Sequence, residues 1–341
     1  MAGKATSFDI AQLAGVSQPT VSRALRGSST VSEQTRKRIE AIAEQLNYKV
    51  DKNASNLRLR ESKTLALLFF EDPTPDNSLI NPFFLSMLGS ITRTCALRGY
   101  DLLISFQQMS ANWHVDYEDS RKADGIILLG YGDYELFQAR QEQLVQQGTH
   151  FVRWGYVEEG QTWPTIGCDN FRGGLDAGRH LLNHGCKKLA FLGDANSHYP
   201  EFQDRYRGYA AAQEAEGILP DLALQMDALN SQDAGYAATI QLIESGRLFD
   251  AIFAASDTIA IGAMQAMRER GVDVPGDVAI IGFDDLPAAS LTHPPLTTIQ
   301  QDYRQAGEVL VDSLLKRIRN IDTASLVLPA RLIVRSSCGA H

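Results

Sequence analysis

The chain has 341 residues, 44% of them hydrophobic, enough for about two or three domains with sizeable cores, and its formal charge of −9 argues against a nucleic-acid protein as a whole. No apolar run is long enough to span a membrane, and Met1 to Asp9 lacks the hydrophobic stretch of a signal peptide, so the expectation is a cytoplasmic protein. Its four cysteines, Cys95, Cys168, Cys186 and Cys338, have no paired spacing, which points to reduced, packed thiols and away from disulfides or zinc.

The first sixty residues differ from this average. Residues 1–63 hold eleven Lys and Arg against six Asp and Glu, whereas the remainder holds 21 against 35. Attraction to phosphate acts over a Debye length of about 8 to 10 Å, so a local excess of cations suffices for DNA. Within this module, Ile10, Leu13 and Ala14 recur at helical spacing, Gly15 stops the helix, and Ser17 opens the next as an N-cap. A second stripe, Val21, Ala24 and Leu25, can pack on the first, which is the pattern of a helix-turn-helix. Outside that stripe, Gln18, Pro19, Thr20, Ser22, Arg23 and Arg26 leave a face without acidic residues. Amides and arginines read base edges in the major groove, and hydroxyls take phosphate. A hairpin with a merely solvated polar face is the other reading at this point.

Ser32 caps a third helix, where Ile39, Ile42, Ala43 and Leu46 form a stripe that completes a small core. Arg36, Lys37 and Arg38 lie on its outer side. Residues 51–62, DKNASNLRLRES, are too polar to bury anything alone. They are a linker, or a segment that folds only on DNA, with Leu57 as a wedge that unstacks a base step from the minor groove.

From Thr64 the texture changes. Apolar runs at 65–70, 102–106, 125–130, 188–193, 250–256 and 278–283, with weaker ones near 151–153 and 165–167, alternate with helical stretches ending in glycine. Such runs indicate parallel strands covered on both faces, hence a doubly wound α/β fold in two successive sheets with a cleft between them. Open sheets bind ligands beyond the carboxyl ends of their strands. Candidate cleft residues are therefore Phe83 or Phe84 after Asn81-Pro82, Asp169 and Asn170, Arg205, Asp257, and Asp284-Asp285. Carboxylates and a guanidinium there suit a polyhydroxylated ligand, and each carboxylate singly is as well explained as a helix cap. His180 and His184 lack companion ligands at zinc-like spacing. No dinucleotide fingerprint, P-loop or nucleophile elbow is present, so no catalytic residue, metal or cofactor is assigned.

The stretch DIAQLAGVSQPTVSRALRG followed by VSEQTRKRIEAIAEQLNY, with NPFF, CDNFRGGLDAGRHL, DRYRGYAAAQ, SDTIAIGAMQAM, VAIIGFDD and PLTTIQQD in order, closely resembles the LacI/GalR (lactose-repressor) family of bacterial transcription regulators along essentially the whole chain. The resemblance implies a helix-turn-helix headpiece at 1–50, a hinge at 51–63, and a two-lobed periplasmic-binding-protein-like domain at 64–341. Its lobes are expected at about 64–164 with 295–322, and about 165–294 with 323–341. It further implies a homodimer on a pseudo-palindromic operator, with Gln18 and Pro19 setting base specificity, Arg23 reading guanine, Ser7, Thr20 and Ser22 anchoring phosphate, and Leu57 as the hinge leucine. Arg26 stands where asparagine is usual and adds a phosphate contact. Arg205 matches the effector-anchoring arginine, and Phe83, Asp257, Asp284 and Asp169 match other pocket positions. The expected ligand is a sugar or glycoside that releases a repressor from a carbohydrate-utilisation operon. Trp113, Trp154, Tyr156 and Trp163 flank the cleft as candidate ring-stacking groups or as ordinary packing. A corepressor-dependent sensor of a non-sugar metabolite, and a binding protein without DNA function, are the alternatives. The chain stops soon after LIVRSSC without a heptad tail, which favours a dimer over a tetramer.

Overall fold

A computed structural model describes residues 5–25, 27–46, 48, 61–71, 80–130, 134–158 and 160–339, and it divides into one unit up to Ser62 and another from Lys63. Arg26, Leu57 and most of the 51–62 segment lie outside the described residues.

The first unit holds three helices, α1 (Ser7–Ala14), α2 (Gln18–Leu25) and α3 (Glu33–Gln45). Thr6 and Asp9 form a capping box at the start of α1, and Gly15 ends it with φ 62°, a conformation open to glycine at little cost. Ile10, Ala11, Ala14, Val21, Ala24, Val31, Ile39 and Ala43 form the core. Leu13, expected inside, is 62% exposed. Because Ile10, Ala11 and Ala14 define the buried stripe, Leu13 sits about 110° around the helix from its centre. Arg36 is not a free outer cation either: its Nη2 donates to the Ser28 carbonyl at 2.8 Å.

The second unit contains two six-stranded sheets. The first runs in the order β11 (Leu326–Leu328), β5 (Thr165–Cys168), β4 (Phe151–Trp154), β3 (Ile126–Leu129), β1 (Thr64–Phe69), β2 (Asp101–Phe106), all parallel. The second runs β12 (Ala330–Ile333), β10 (Thr297–Gln301), β9 (Ala279–Asp284), β8 (Ala251–Ala254), β6 (Leu189–Leu192), β7 (Gln225–Met226), parallel except for the β10–β12 pair. The continuous apolar runs have the expected cause. Leu65, Leu67 and Phe69 pack on one face of β1, while Ala66 and Leu68 pack on the other.

The helices of this unit are α4 (Pro82–Leu97), α5 (Tyr134–Gln146), α6 (Asn170–Asn183), α7 (Pro200–Ala215), α8 (Gln232–Glu244), α9 (Asp257–Glu269) and α10 (Tyr303–Ile318). The chain passes between sheets after β5, after β10 and between β11 and β12. All three crossings lie later than the boundaries read from sequence. The strand at 165–168 belongs to the first sheet, and 297–301 to the second. An apolar run marks a strand but not its neighbour, which long-range pairing selects.

Glycines at one helix crossing set the position of α7. A Cβ on Gly174 would meet the carbonyl oxygen of Arg205, and one on Gly208 would meet that of Phe171. Without side chains there, α6 and α7 approach closely enough to place Arg205 against Asn170. All four cysteines are free, and burial pushes the Cys95 and Cys168 thiols up to about 11 and about 12. Among the described residues, no helix is long and apolar enough to cross a membrane.

Candidate functional site: a helix-turn-helix face and a two-lobed cleft

On the headpiece, α2 buries Val21 and Ala24, which turns Pro19 and Arg23 outward and leaves Gln18, Thr20 and Ser22 half-buried beside them. The Ser17 carbonyl accepts the N–H groups of Thr20 and Val21 at 2.9 and 3.1 Å, and its hydroxyl bonds that of Thr20 at 2.9 Å. Gln18 Nε2 donates to Ser7 Oγ at 2.8 Å. Two candidate DNA-contacting side chains, eleven residues apart, are thus held together where α1 and α2 both begin. Arg26 and Leu57 cannot be placed, since they fall outside the described residues.

In the second unit, Arg205 of α7 is wholly buried. Its Nε donates to Asn170 Oδ1 at 2.8 Å, its Nη1 to the Ala255 carbonyl at 2.5 Å, and Nη1 lies 3.8 Å from Asp284 Oδ1. The ring of Phe283 lies 3.8 Å below the guanidinium carbon. Asn170 in turn donates to the Cys168 carbonyl at 3.1 Å. The carboxyl ends of β5 and β8 and the N-termini of α6 and α7 are tied into one network.

Asp284 ends β9 and Asp285 follows it, with φ 120° and 55°, both in the left-handed half of backbone space that side-chain-bearing residues rarely adopt. Side chains hold them there. Gln301 Nε2 donates to Asp284 at 2.6 Å, while Gln300 and Arg335 donate to Asp285 at 2.8 and 2.5 Å. Burial, opposed by Arg205 and Gln301, raises the Asp284 carboxyl to about 6.

The other sequence candidates separate by role. Asp257 is buried, and its two oxygens accept from Thr298 Oγ1 at 2.5 Å and from the Leu286 N–H at 2.7 Å. It braces the turn after β9, and burial, helped by Asp284, pushes its carboxyl well above the usual range. Phe83 and Phe84 are both core residues; Phe83 packs 5.8 Å from Trp154. Asp169 caps α6 by accepting the Arg172 N–H at 2.9 Å. Trp113 and Trp163 lie in the core under the other face of the first sheet, so only Trp154 and Tyr156 remain near the cleft. His180 and His184 lie 4.2 Å apart between ring centroids with their planes tilted by 42°, and His180 Nε2 is 3.1 Å from Cys338 Sγ. Among the described residues no group of three or more acidic, histidine or cysteine side chains is arranged to hold a metal.

Two residues were missed from sequence. Arg153 lies on the first lobe's strand β4, and Glu201 in the first turn of α7 on the second lobe; both are buried and line one cavity with Phe70, Tyr134 and Trp154. The signal was an arginine inside the apolar run FVRW, where a charge needs a reason.

A helix-turn-helix unit followed by a two-lobed α/β domain with a polar cleft defines a DNA-binding regulator with a ligand-binding body. The profile of the bacterial regulatory proteins of the lacI family matches residues 8–51, and that of the periplasmic binding protein-like domain matches 179–338. The ribose operon repressor of Haemophilus influenzae is 31% identical over 98% of both chains, and the transcriptional repressor CytR of Escherichia coli is 30% identical over 98% of this chain and 97% of its own. Among solved structures, a cellobiose complex of the transcriptional regulator CelR shares 28% identity with a TM-score of 0.71, covering 98% of this chain and 99% of that one. A lac repressor dimer bound to operator and an anti-inducer, at 24% identity, shares the fold with a TM-score of 0.85 over 99% and 100% of the two chains. The chain belongs to the LacI family of bacterial transcription regulators.

Proposed function

We propose that this regulator represses a carbohydrate-utilisation operon, and that a sugar or glycoside entering its cleft changes its affinity for the operator. The observation that carries this reading is the buried Arg205, bonded to Asn170 and close to Asp284, because a guanidinium and carboxylate fixed together are suited to hydroxyl pairs on a ring. Relatives named for ribose operons and a neighbour solved with cellobiose support the ligand class. On the headpiece, Arg23 reads guanine, Gln18 and Pro19 set base preference, and Ser7, Thr20 and Ser22 hold phosphate, with Arg26 and Leu57 as further contacts. A homodimer presents two such faces to successive major grooves of a pseudo-palindromic site in the cytoplasm.

Control follows from differential affinity. The lobes are joined by three crossings, so a ligand that binds one lobe arrangement better than another shifts the population toward it, and operator affinity moves with that population. The test is fluorescence anisotropy of the full chain with operator fragments from its own upstream region, with and without sugars. Absence of sequence-specific binding under every condition would sink the proposal.

A further inference from the structure

We propose that Arg153 and Glu201 form a hydroxyl clamp across the cleft that selects a neutral polyhydroxylated effector over its acidic counterparts. The inference rests on the ligand-controlled reading above and specifies the ligand of that site.

Arg153 is 6% exposed and Glu201 5%, and they come from opposite lobes. Arg153 Nη1 donates to Gln141 Oε1 at 3.0 Å, and the guanidinium lies 5.3 Å from the Tyr134 ring. No described residue accepts from its Nε or Nη2. Glu201 Oε1 accepts the Tyr156 N–H at 2.8 Å, which leaves Oε2 without a donor among the described residues. Both side chains line the same cavity, and burial lowers the arginine's affinity for its proton, opposed in part by Glu201, Tyr134 and Glu158. Each side chain thus keeps hydrogen-bonding capacity that the cavity can use. One ligand hydroxyl donating to Glu201, with a neighbouring oxygen accepting from Arg153, would satisfy both.

Charge decides the class. Around the guanidinium stand two carboxylates, Glu201 and Glu158, so an added anion would meet more repulsion than attraction in a site of low dielectric. Tyr134, whose hydroxyl donates to Glu158 at 2.8 Å, and Trp154 add aromatic surface at the rim. Tyr134 also reaches the other lobe through its backbone, donating to the His198 carbonyl at 3.1 Å, so the clamp lies where the lobes already touch.

The experiment uses the full chain, thermal shift followed by calorimetry, and matched probes: ribose, galactose and cellobiose against ribose 5-phosphate, galacturonate and glucuronate. At least one neutral sugar should bind, with its acidic counterpart tenfold or more weaker. Glu201→Gln keeps an oxygen for the Tyr156 N–H but removes one repelling charge, and should shrink that ratio by tenfold. Arg153→Met should weaken the neutral sugar by at least tenfold and leave the acidic one no better bound. An acidic probe binding best, no neutral probe binding, or a ratio unmoved in Glu201→Gln would overturn the clamp. The wild-type ratio requires no variant to fold. Operator binding measured in the same preparation separates the readings: its loss strikes the regulator proposal, while its retention with an acidic effector strikes only the clamp.

Discussion

The guanidinium of Arg205 lies over the ring of Phe283, 3.8 Å from its centroid, with the Asp284 carboxylate 3.8 Å to the side. The ring supports the plane of the guanidinium, and Asn170 and the Ala255 carbonyl fix its rotation. A lysine keeps the charge but has neither the plane nor the fork. Arg205→Lys should therefore weaken effector binding at least about tenfold. Calorimetry with the effector measures this, and an affinity within about twofold of wild type would refute the anchoring role.

Asp284 makes the protein sensitive to pH in two opposite senses. Its carboxyl is raised from the usual 3.8 to about 6, so between those values the folded chain holds a proton that the unfolded chain has released. Its contribution to stability is therefore complete at low pH and falls as pH rises through that window. A ligand hydroxyl that donates to the ionised carboxylate gains instead, with affinity rising up to about tenfold from about pH 5 to about pH 7. Asp284→Asn should flatten both trends, read from melting temperatures and calorimetry at three pH values.

Asp257, a cleft candidate from the sequence, has both oxygens engaged inside the fold, by Thr298 and by the Leu286 N–H. Asp257→Ala removes the acceptor for Thr298 and for the Leu286 N–H, and should cost about 2 to 4 kcal/mol of stability. Chemical denaturation gives the number. Effector affinity of the folded fraction should stay close to wild type; a large selective loss would return Asp257 to the site.

Gly174→Ala and Gly208→Ala should each destabilise the second lobe by about 1 to 3 kcal/mol or more, because each new methyl meets a backbone carbonyl that side-chain rotation cannot move. Scanning calorimetry tests it. Gly185→Ala gives a contrast: no atom lies within 4 Å of its would-be Cβ, and the cost there comes from φ 88° alone.

For the headpiece, Arg23→Ala should lose about 1 to 3 kcal/mol of operator discrimination per half-site if the guanidinium reads guanine. Ser7→Ala releases Gln18 Nε2 from its 2.8 Å bond and should loosen base preference by less. Competition against operators substituted one base pair at a time distinguishes the two, and unchanged discrimination in Arg23→Ala would exclude the base contact.

Much of the fold was legible because local patterns carry it. The Ile39 and Ala43 stripe, the Asn81-Pro82 helix start and the apolar runs of β1, β3, β6, β8 and β9 all appear where periodicity places them. Leu13 failed because three of its neighbours fill the stripe at a slightly different angle. The lobe boundaries failed because β5 and β10 read alike whether they pair with one sheet or the other. Strands β11 and β12 were passed over for a related reason: three and four residues are too few to set up a period.

The sequence by itself determined the family, the order of helix-turn-helix and doubly wound domain, and Arg205 as the residue to watch. These are encoded in motifs a few residues long and in period, which neighbouring residues suffice to express. Only the tertiary structure decided what each polar group does. It made Asp257 a brace and Asp284 a strained partner of Arg205, and it brought Arg153 and Glu201, forty-eight positions apart and on different lobes, to line one cavity. Burial and partner geometry set the chemistry of a charged side chain, and both depend on chain segments that meet only after folding.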